Sequence, residues 1–321
     1  MAGNPSPDVA RRDDPHFHGF LIVDKPAGMT SHDVVSRVRR LCGQRTVGHA
    51  GTLDPAATGV LPVALGAATR MLAFAGDSSK TYRAEITFGV ETDSFDADGV
   101  TTRITNESPS LSVIEELVPR YVGRLTQTPP MHSAIQIGGR RLYDLARAGV
   151  VIDPPARPVV IHQIEILDYR SPTLTICVDC GSGTYIRSLA RDIGRDAGTG
   201  AYLSDLVRLR SGGFSLADAW TFAELSAMPL EEAWPVIAYH PDRVIDHLPA
   251  AILDHATMNR WRQGQPSRLP IDTSKGFVRT YSERGDWLGI GEIREFGDSI
   301  SLWPKRVIDQ SQFDSPWWGQ R

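Results

Sequence analysis

Alternating apolar and polar positions predict several short strands in the first two-thirds of the chain. The plainest case is 80–89, where Tyr82, Ala84, Ile86 and Phe88 share one face and the residues between them are polar or charged. A period of two indicates a strand with one buried face. Further strands are predicted at 19–23, 159–167, 174–180 and 201–210.

Helical periodicity appears between these strands. The first predicted helix has its apolar face within 34–41, and Thr30 or Ser31 precedes it as an N-cap. Further helices are predicted around 112–121, at 142–149 before a terminating glycine, and after the glycine turn at 181–183.

The pattern of apolar and polar residues changes near residue 248. Beyond that point short β-type runs alternate with turns at glycines, which is typical of a small barrel. A chain of 321 residues also suits two domains. The predicted organisation is a disordered tail at 1–17, a main domain at 18–245, a small β-domain at 246–308 and a tail at 309–321 that contains Trp317 and Trp318.

Composition is that of a globular protein without membrane signals. The chain is 41% hydrophobic and 22% charged, as globular proteins are, and no apolar run is long enough to span a bilayer. The N-terminus lacks the order of a signal peptide. Three cysteines are too few for a disulfide framework. We therefore expect a cytoplasmic protein.

Charge alone does not identify a partner. The formal net charge is −4, which argues against a nucleic-acid binder because phosphate neutralisation needs lysine and arginine. Arginines nevertheless cluster locally, although most such clusters are solvated faces. The three clusters are Arg37, Arg39, Arg40 and Arg45; Arg140, Arg141 and Arg147; and Arg187, Arg191, Arg195, Arg208 and Arg210.

Two patterns that could suggest metal or redox chemistry are interpreted as structural. Cys177 and Cys180 have CxxC spacing, but a zinc site would need a second pair, and a redox pair would open a helix rather than close a strand. The acidic run at 94–98 faintly resembles a calcium loop, yet its twelfth position is Thr105 rather than a glutamate. No metal site is predicted.

The most informative stretch is 47–62, where three glycines surround one carboxylate, that of Asp54. The glycines mark places where the backbone bends or approaches another group closely. Pro55 biases Asp54 towards an extended conformation, which presents the carboxylate at the edge of a loop. Alternatively, Asp54 is the N-cap and Pro55 the first residue of a helix. A capping role and a catalytic role are compatible.

The run Gly-His-Ala-Gly-Thr-Leu-Asp-Pro-Ala-Ala-Thr-Gly-Val-Leu-Pro at 48–62 closely resembles the catalytic stretch of the TruB family, the tRNA pseudouridine synthases B. Ala56 replaces a larger apolar residue of that family. Three other stretches match in family order: Asp-Lys-Pro-Ala-Gly-Met-Thr-Ser at 24–31, a basic glycine-hinged insertion at 123–153, and Gly-Thr-Tyr-Ile-Arg at 183–187. Four matches in order identify the chain as a member of this family.

The resemblance implies a set of site residues around Asp54, which acts as nucleophile or base. Arg187 is expected to pair with Asp54, and its guanidinium would favour the ionised carboxylate. Tyr82 is expected to stack on the target base, and its hydroxyl to take part in proton transfer. The base-binding and orienting residues are Lys25, which holds the loop, His49, which fills the space left by the flipped base, Tyr82, Tyr185, Arg187 and Leu206.

The insertion at 123–153 resembles the family's thumb, which closes over the T arm of tRNA. Arg140, Arg141 and Arg147 are its candidate RNA-binding residues. His132 stands where the family pattern has tyrosine, and Gln136 where it has lysine.

The fold implied is α+β, a mixed core around a large, mostly antiparallel sheet, with a PUA-like RNA-binding β-barrel at the C-terminus. The reaction implied is isomerisation of uridine 55 in the T loop of tRNA to pseudouridine, without metal, nucleotide or nicotinamide cofactor. The expected partner is the T arm of tRNA, and the protein is expected to act as a monomer without an obligate protein partner.

Two alternatives stay open. A guide-RNA-dependent relative shares the core motifs but lacks this thumb. A tRNA-folding chaperone would bind and anneal RNA without needing Asp54.

Overall fold

The computed structural model describes residues 17–75, 78–131, 133, 136–137, 140–141, 154–268, 275–296 and 299–308. The strands, in chain order, are β1 Gly19–Lys25, β2 Val47–His49, β3 Thr58–Leu65, β4 Lys80–Phe88, β5 Val90–Thr92, β6 Thr101–Ile104, β7 Gly123–Gln127, β8 Gln136–Ile137, β9 Arg140–Arg141, β10 Arg157–Arg170, β11 Thr173–Cys180, β12 Ala201–Ser211, β13 Phe214–Ser215, β14 Ala238–Tyr239, β15 Ala250–Leu253, β16 Ser267–Arg268, β17 Gly276–Ser282, β18 Trp287–Phe296 and β19 Ser299–Val307. The α-helices are α1 Ser31–Cys42, α2 Leu111–Leu117, α3 Ile186–Asp196, α4 Phe222–Ala227, α5 Leu230–Ile237 and α6 His255–Arg262. Short 3₁₀ helices cover Gly66–Phe74, Val118–Tyr121, Leu216–Asp218 and Pro241–Ile245.

A ten-stranded sheet forms the larger part of the molecule. Its order is β14-β1-β3-β12-β4-β11-β10-β7, with β2 paired to β3 and β13 paired to β12. Within the described chain β3 and β12 run parallel, and the other neighbours in this sheet run antiparallel. The predicted large, mostly antiparallel sheet is therefore confirmed. Tyr82, Ala84, Ile86 and Phe88 of β4 are buried, as the alternation at 80–89 predicts.

The register of the central strands decides which side chains meet. Tyr82 on β4 is opposite Arg208 on β12 and Val178 on β11, and in the next row Ala84 is opposite Leu206. Directly opposite residues of an antiparallel pair project from the same face of a sheet. Tyr82, Arg208 and Leu206 therefore lie together on one face.

Helix α1 begins with a capping box. The Thr30 hydroxyl accepts a hydrogen bond from the Asp33 N–H (3.0 Å), and the Asp33 carboxylate accepts one from the Thr30 N–H (2.9 Å). Of the two candidate caps, Thr30 is the one used, which leaves the Ser31 hydroxyl available for another contact. On the apolar face predicted within 34–41, Val34, Val35 and Val38 are buried, and Leu41 is partly buried.

Helix α3 packs tightly on the same face of the large sheet. Its apolar residues Ile186, Leu189 and Ile193 join the buried cluster formed by β4, β11 and β12. A Cβ at Gly194 would lie 2.3 Å from the backbone nitrogen of Ala201. Glycine is therefore required where the helix crosses the start of β12.

The C-terminal strands form a five-stranded half-barrel sheet in the order β15-β17-β18-β19-β16. Helix α6 contributes Trp261 to its core, and the indole N–H donates to the Leu288 carbonyl (3.0 Å). The small C-terminal β-domain of the predicted fold is confirmed. Trp287 and Ile290 of β18 share a hydrophobic cluster with Phe20, so this sheet packs directly against the larger one.

The described chain begins at Phe17, which the sequence analysis places in the tail. Phe17 is buried, its ring centroid is 4.8 Å from that of Trp234, and its N–H donates to the Gln44 side-chain oxygen (3.0 Å). Of the predicted tails at 1–17 and 309–321, residues 1–16 and 309–321 lie outside the described residues, as does the helix predicted at 142–149. None of the described helices has the length and apolarity needed to cross a membrane.

Candidate active site

The loop between β2 and β3 carries Asp54 and is anchored on both sides of it. The Leu53 N–H donates to the Ser31 hydroxyl (2.8 Å), which in turn donates to the Leu53 carbonyl (3.0 Å). On the other side, the Gly28 N–H donates to the Pro55 carbonyl (2.9 Å). The interpretation of Asp54 as a helix N-cap is wrong, because the chain after this loop continues as β3 and pairs with β1.

Lys25, at the end of β1, holds the same loop in place through backbone carbonyls. Its ammonium group donates to the carbonyls of Pro26 (2.9 Å), Met29 (2.6 Å) and Pro55 (3.0 Å). The residue is fully buried, and burial lowers the pKa of Lys25 to about 8, with the charge of Asp54 opposing that shift. Three backbone acceptors use all three donors of the ammonium group, so Lys25 ties the residue after Asp54 to the β1–α1 turn.

Arg187 contacts both oxygens of the Asp54 carboxylate. Its Nη2 donates to Oδ1 at 3.0 Å, and its Nε lies 2.9 Å from Oδ2. Arg187 is the second residue of α3, and its side chain is 5% exposed, whereas 37% of the Asp54 side chain is exposed. The pairing that the resemblance implied is present, and the carboxylate remains accessible from solvent.

Opposing influences act on the ionisation of Asp54. Burial raises the pKa of the Asp54 carboxyl above its ordinary value, and the charge of Asp96 raises it as well. The guanidinium of Arg187 and the ammonium of Lys25 lower that pKa. The ionised carboxylate therefore depends on these two cations.

A second carboxylate, Asp96, also contacts Arg187. Its Oδ2 lies 3.3 Å from the Arg187 Nη1, which also donates to the Ser94 carbonyl (3.4 Å). The other oxygen of Asp96 accepts hydrogen bonds from the Ser94 hydroxyl (2.5 Å) and the Asp98 N–H (3.2 Å). Phe95 has a left-handed φ of 65°, which folds this short loop back on itself. In the sequence Asp96 stands out only as part of a weak calcium-loop pattern, and no sequence signal indicates its contact with Arg187.

Tyr82 and Leu206 border the Asp54 loop. Both belong to the buried cluster that contains Leu53 and Ala57, the apolar residues on either side of Asp54. They are almost entirely buried. Burial raises the pKa of the Tyr82 phenol, and Asp54 adds to this rise. Both predicted residues therefore share a buried cluster with the apolar residues that flank Asp54.

Tyr185 is held through its backbone and its ring. The Gln127 side chain accepts from the Tyr185 N–H (2.9 Å) and donates to the Tyr185 carbonyl (3.1 Å). The Arg157 guanidinium lies 4.8 Å from the centre of the Tyr185 ring. Arg157 and Gln127 are opposite each other on β10 and β7. Gln127 belongs to the 123–153 insertion, and Arg157 follows the end of that insertion. Neither residue belongs to the predicted set of site residues.

His49 ends β2 beside the Asp54 loop. Burial lowers the pKa of His49, and the nearby charge of Arg208 lowers it further. Its Nδ1 is buried, with no hydrogen-bond partner among the described residues. The imidazole is therefore neutral at neutral pH.

Arg208 is buried beneath the site, although the sequence analysis placed it only in a cluster of arginines. Its Nε donates to the Val60 carbonyl (2.7 Å), Nη1 to the Thr52 carbonyl (3.4 Å) and Nη2 to the Gly51 carbonyl (3.2 Å). Its register partner on β4 is Tyr82. The alternation along β12 could have indicated this burial, because residue 208 shares a face with the predicted pocket residue 206.

The glycines of the 47–62 stretch stand where the backbone is constrained. Gly51 and Gly59 have left-handed φ values of 93° and 101°. A Cβ at Gly59 would lie 2.3 Å from the Arg208 carbonyl oxygen, and one at Gly48 would lie 2.8 Å from the Leu72 side chain. The prediction that these glycines mark bends and close approaches is confirmed.

Several other predictions concern the insertion and possible metal sites. The backbone of Arg140 and Arg141 forms β9, paired with β8, while their side chains, Arg147 and His132 lie outside the described residues. Cys177 is half-buried and Cys180 is buried. Because they are three residues apart on β11, their side chains lie on opposite faces of the sheet. In the part of the chain that the structure describes, no group of three or more His, Cys, Asp or Glu side chains is placed to hold a metal.

Three family models match consecutive parts of the chain. They are TruB family pseudouridylate synthase (N terminal domain) over 39–186, tRNA pseudouridylate synthase B C-terminal domain over 187–246, and pseudouridine synthase II TruB, C-terminal, over 249–308. Curated relatives match over most of their length. The tRNA pseudouridine synthase B of Trichormus variabilis is 43% identical over 286 residues, which cover 87% of this chain and 95% of the relative. That of Synechocystis is 44% identical over 298 residues, which cover 91% and 99%.

Solved structures share the fold. A chain of a Cbf5-Nop10-Gar1 complex has a TM-score of 0.73 at 23% identity, covering 97% of this chain and 93% of that chain. A chain of an H/ACA RNP bound to a substrate RNA containing 2′-deoxyuridine has a TM-score of 0.71 at 21% identity, covering 96% and 93%. The family models and the curated relatives together show that this chain belongs to the TruB family of pseudouridylate synthases.

Proposed function

We propose that this protein converts uridine 55 in the T loop of tRNA to pseudouridine, with Asp54 as the reactive carboxylate. Membership of the TruB family gives the reaction class. The curated relatives named tRNA pseudouridine synthase B support tRNA as the substrate. One observation carries the assignment of Asp54: its carboxylate is oriented by the buried Arg187 at two atoms while 37% of its side chain stays exposed.

The reaction moves the glycosidic bond from one atom of the base to another. The bond between N1 of uracil and C1′ of ribose breaks, a bond between C5 and C1′ forms, C5 loses a proton and N1 gains one. Substrate and product are isomers, so the reaction needs no oxidant, reductant, water molecule or group donor. The proposal therefore includes no metal and no cofactor.

The target uridine first leaves its stack. Base flipping costs a few kcal/mol, and the proposed pocket compensates with the ring of Tyr82 as a stacking surface and Leu206 as its apolar wall. Tyr185 packs beside the flipped base. His49, neutral and half-buried, fills or braces the space that the base leaves.

Asp54 then acts at the junction of sugar and base. Three routes fit an oriented, ionised carboxylate: attack at C1′, attack at C6 of the base, or abstraction of the C2′ proton through a glycal. In each route Arg187 keeps the Asp54 carboxylate ionised and correctly oriented. The hydrogen bonds to the backbone of Leu53 and Pro55 hold the loop in place.

Recognition of tRNA involves regions outside the Asp54 loop. The 123–153 insertion closes over the T arm, with Arg140, Arg141 and Arg147 on RNA phosphates. The catalytic domain spans 18–245 and the PUA-like domain 246–308. The protein works as a monomer in the cytoplasm, without an obligate protein partner.

Tritium release tests this function directly. Unmodified tRNA carrying tritium at C5 of its uridines is mixed with the purified protein alone, and tritium released to water is counted. Release of one equivalent per tRNA, mapped to position 55 and absent with Asp54→Asn, is expected. Bound tRNA without release would favour a chaperone, and release only after adding guide RNA would favour the guide-dependent relative.

A further inference from the structure

Arg157, the first residue of β10, is a half-buried cation beside the proposed base pocket. Its guanidinium carbon lies over the Tyr185 ring, 4.8 Å from the ring centre. Among the residues that the structure describes, its buried Nε has no hydrogen-bond acceptor, and no carboxylate pairs with the guanidinium. Charges that lose hydration are normally paired, because desolvation is costly. The donors of Arg157 are therefore not used by the described protein groups around it.

The alternation along β10 directs Arg157 towards the active site. Arg157, Val159 and Ile161 project from one face of the strand because they are two residues apart. Val159 and Ile161 are buried, and Ile161 belongs to the cluster that contains the apolar residues of α3 and of the Asp54 loop. Arg157 therefore lies on the same face as the catalytic loop, where the buried core gives way to the half-buried ring of Tyr185.

Holding Tyr185 in place does not require a charge at position 157. Gln127 already satisfies the N–H and the carbonyl of Tyr185. An apolar side chain could cover the ring without the cost of removing a charge from water. A guanidinium can stack on a ring and still use its N–H groups, whose planar arrangement fits the oxygens of a phosphate. The choice of arginine therefore indicates an anion that binds next to the Tyr185 ring.

We propose that Arg157 binds one of the two backbone phosphates that flank the flipped uridine, while its guanidinium stays stacked on Tyr185. This inference rests on the proposed function, in which the flipped base lies beside Tyr185. The sugar and the phosphates of that nucleotide then pass the rim of the pocket, where Arg157 is located. Arg157 forms and breaks no covalent bond in this role, and it acts by fixing the RNA backbone next to the reacting sugar.

A double-mutant cycle between protein and RNA tests this contact. T-arm stem–loop RNAs are synthesised with a neutral methylphosphonate in place of each phosphate that flanks uridine 55, and every protein carries Asp54→Asn so that no RNA is converted. We expect one of the two methylphosphonates to weaken binding about 10-fold, and Arg157→Met to weaken binding of the normal RNA by a similar factor. The two losses should not add when they are combined. Arg157→Met should also reduce the slope of log Kd against log salt by about 0.7 to 1.

Two further variants separate a phosphate contact from a structural role. Arg157→Lys keeps a cation, so it should stay sensitive to the same methylphosphonate, and it carries the test even where the methionine variant does not fold. Arg124→Met is the matched control: Arg124 is an exposed arginine on β7, opposite Val160 and therefore on the other face of the sheet. It should change neither the affinity nor the salt slope. Additive losses for both phosphates, or an Arg157→Lys protein that is insensitive to both, would overturn the proposal.

The cycle also distinguishes this inference from the proposed function. Because it measures binding alone, a parent protein that binds the stem–loop without converting it would contradict the proposed function and leave a non-additive cycle as evidence for the phosphate contact. A parent protein that converts the stem–loop, together with additive losses in the cycle, would contradict only the role of Arg157. Absence of binding by the parent would contradict both.

Discussion

Two aspartates share Arg187, and they differ in what else holds them. The Asp96 carboxylate accepts hydrogen bonds from Ser94 and from the Asp98 N–H, and 18% of its side chain is exposed. Among the described residues, Arg187 is the one hydrogen-bond donor to the Asp54 carboxylate, and 37% of the Asp54 side chain is exposed. The Asp54 carboxylate can therefore accept further hydrogen bonds, whereas the Asp96 carboxylate already accepts several.

The two loops are held in place by different parts of their residues, one by the main chain and the other partly by the aspartate side chain. The Asp54 loop is fixed through the main chain of its neighbours, Leu53 and Pro55, so the side chain itself is left unconstrained on its exposed side. The Asp96 loop is fixed partly through the carboxylate of Asp96. A reactive carboxylate needs the first arrangement, and a carboxylate that orients an arginine needs the second.

Asp54→Asn should have the largest effect. We expect kcat to fall by about 10⁴-fold or more, with tRNA affinity little changed in a filter-binding assay. Because burial raises the pKa of Asp54 in the folded protein, its ionised form lowers stability at neutral pH, and this penalty fades as pH falls through that pKa. Thermal unfolding at pH 7 should therefore occur at or above the parent temperature. Loss of tRNA binding would instead identify Asp54 as structural.

Arg187→Met should come next. We expect kcat to fall about 10²- to 10³-fold, and the acid limb of the pH–rate profile to move to higher pH. Loss of the guanidinium raises the pKa of Asp54 further, so the carboxylate is protonated at pH values where the parent enzyme is ionised. Arg195→Met, on the same helix but half-exposed, is the control. An acid limb that moved to lower pH would contradict the assigned pairing.

Asp96→Asn should have a smaller effect and shift the profile the other way. The amide oxygen can still accept from Ser94 and from the Asp98 N–H, so we expect kcat to fall only about 10- to 100-fold. Removing the charge of Asp96 lowers the pKa of Asp54, so the acid limb should move to lower pH. Asp98→Asn changes an exposed carboxylate in the same loop and should leave the profile unchanged. Equal shifts in Asp96→Asn and Arg187→Met would refute the distinction between the two aspartates.

Gln127→Ala should have the smallest effect of the four. Its side chain satisfies both the N–H and the carbonyl of Tyr185, and its loss leaves two backbone groups without these partners. We expect the free energy of unfolding in urea to fall by about 1–3 kcal/mol and kcat to fall a few-fold. Gln163→Ala, on the exposed part of β10, is the control. A full loss of activity would mean that Gln127 contacts the substrate directly.

Much of the site follows from local sequence patterns. The alternation at 80–89 places Tyr82 on the buried face of β4, and the motif around Asp54 requires a loop because Pro55 disfavours a helical residue before it. The four matching stretches also bring Asp54 and Arg187 together, although 133 positions separate them in the chain. The first two features depend on backbone preferences that each segment carries by itself, whereas the pairing of Asp54 with Arg187 was expected from the family resemblance.

The contributions of Asp96, Gln127 and Arg208 could not be predicted in the same way. Asp96 reaches Arg187 because Phe95 takes a left-handed conformation in an otherwise ordinary acidic turn. Arg208 appears in a run of arginines that is typical of a solvated surface. The alternation along β12 indicates its burial, but its contacts with Gly51 and Thr52 join distant segments of the chain. Each role arises from pairing between distant segments, which composition and spacing do not encode.

The most direct measurement is single-turnover tritium release from C5-labelled tRNA, with Asp54→Asn and Asp96→Asn compared side by side. The structure leads us to expect no release from Asp54→Asn at any pH, and slowed but complete release from Asp96→Asn. Complete release from Asp54→Asn, or none from Asp96→Asn at any pH, would contradict the claim that Asp54 reacts and Asp96 orients.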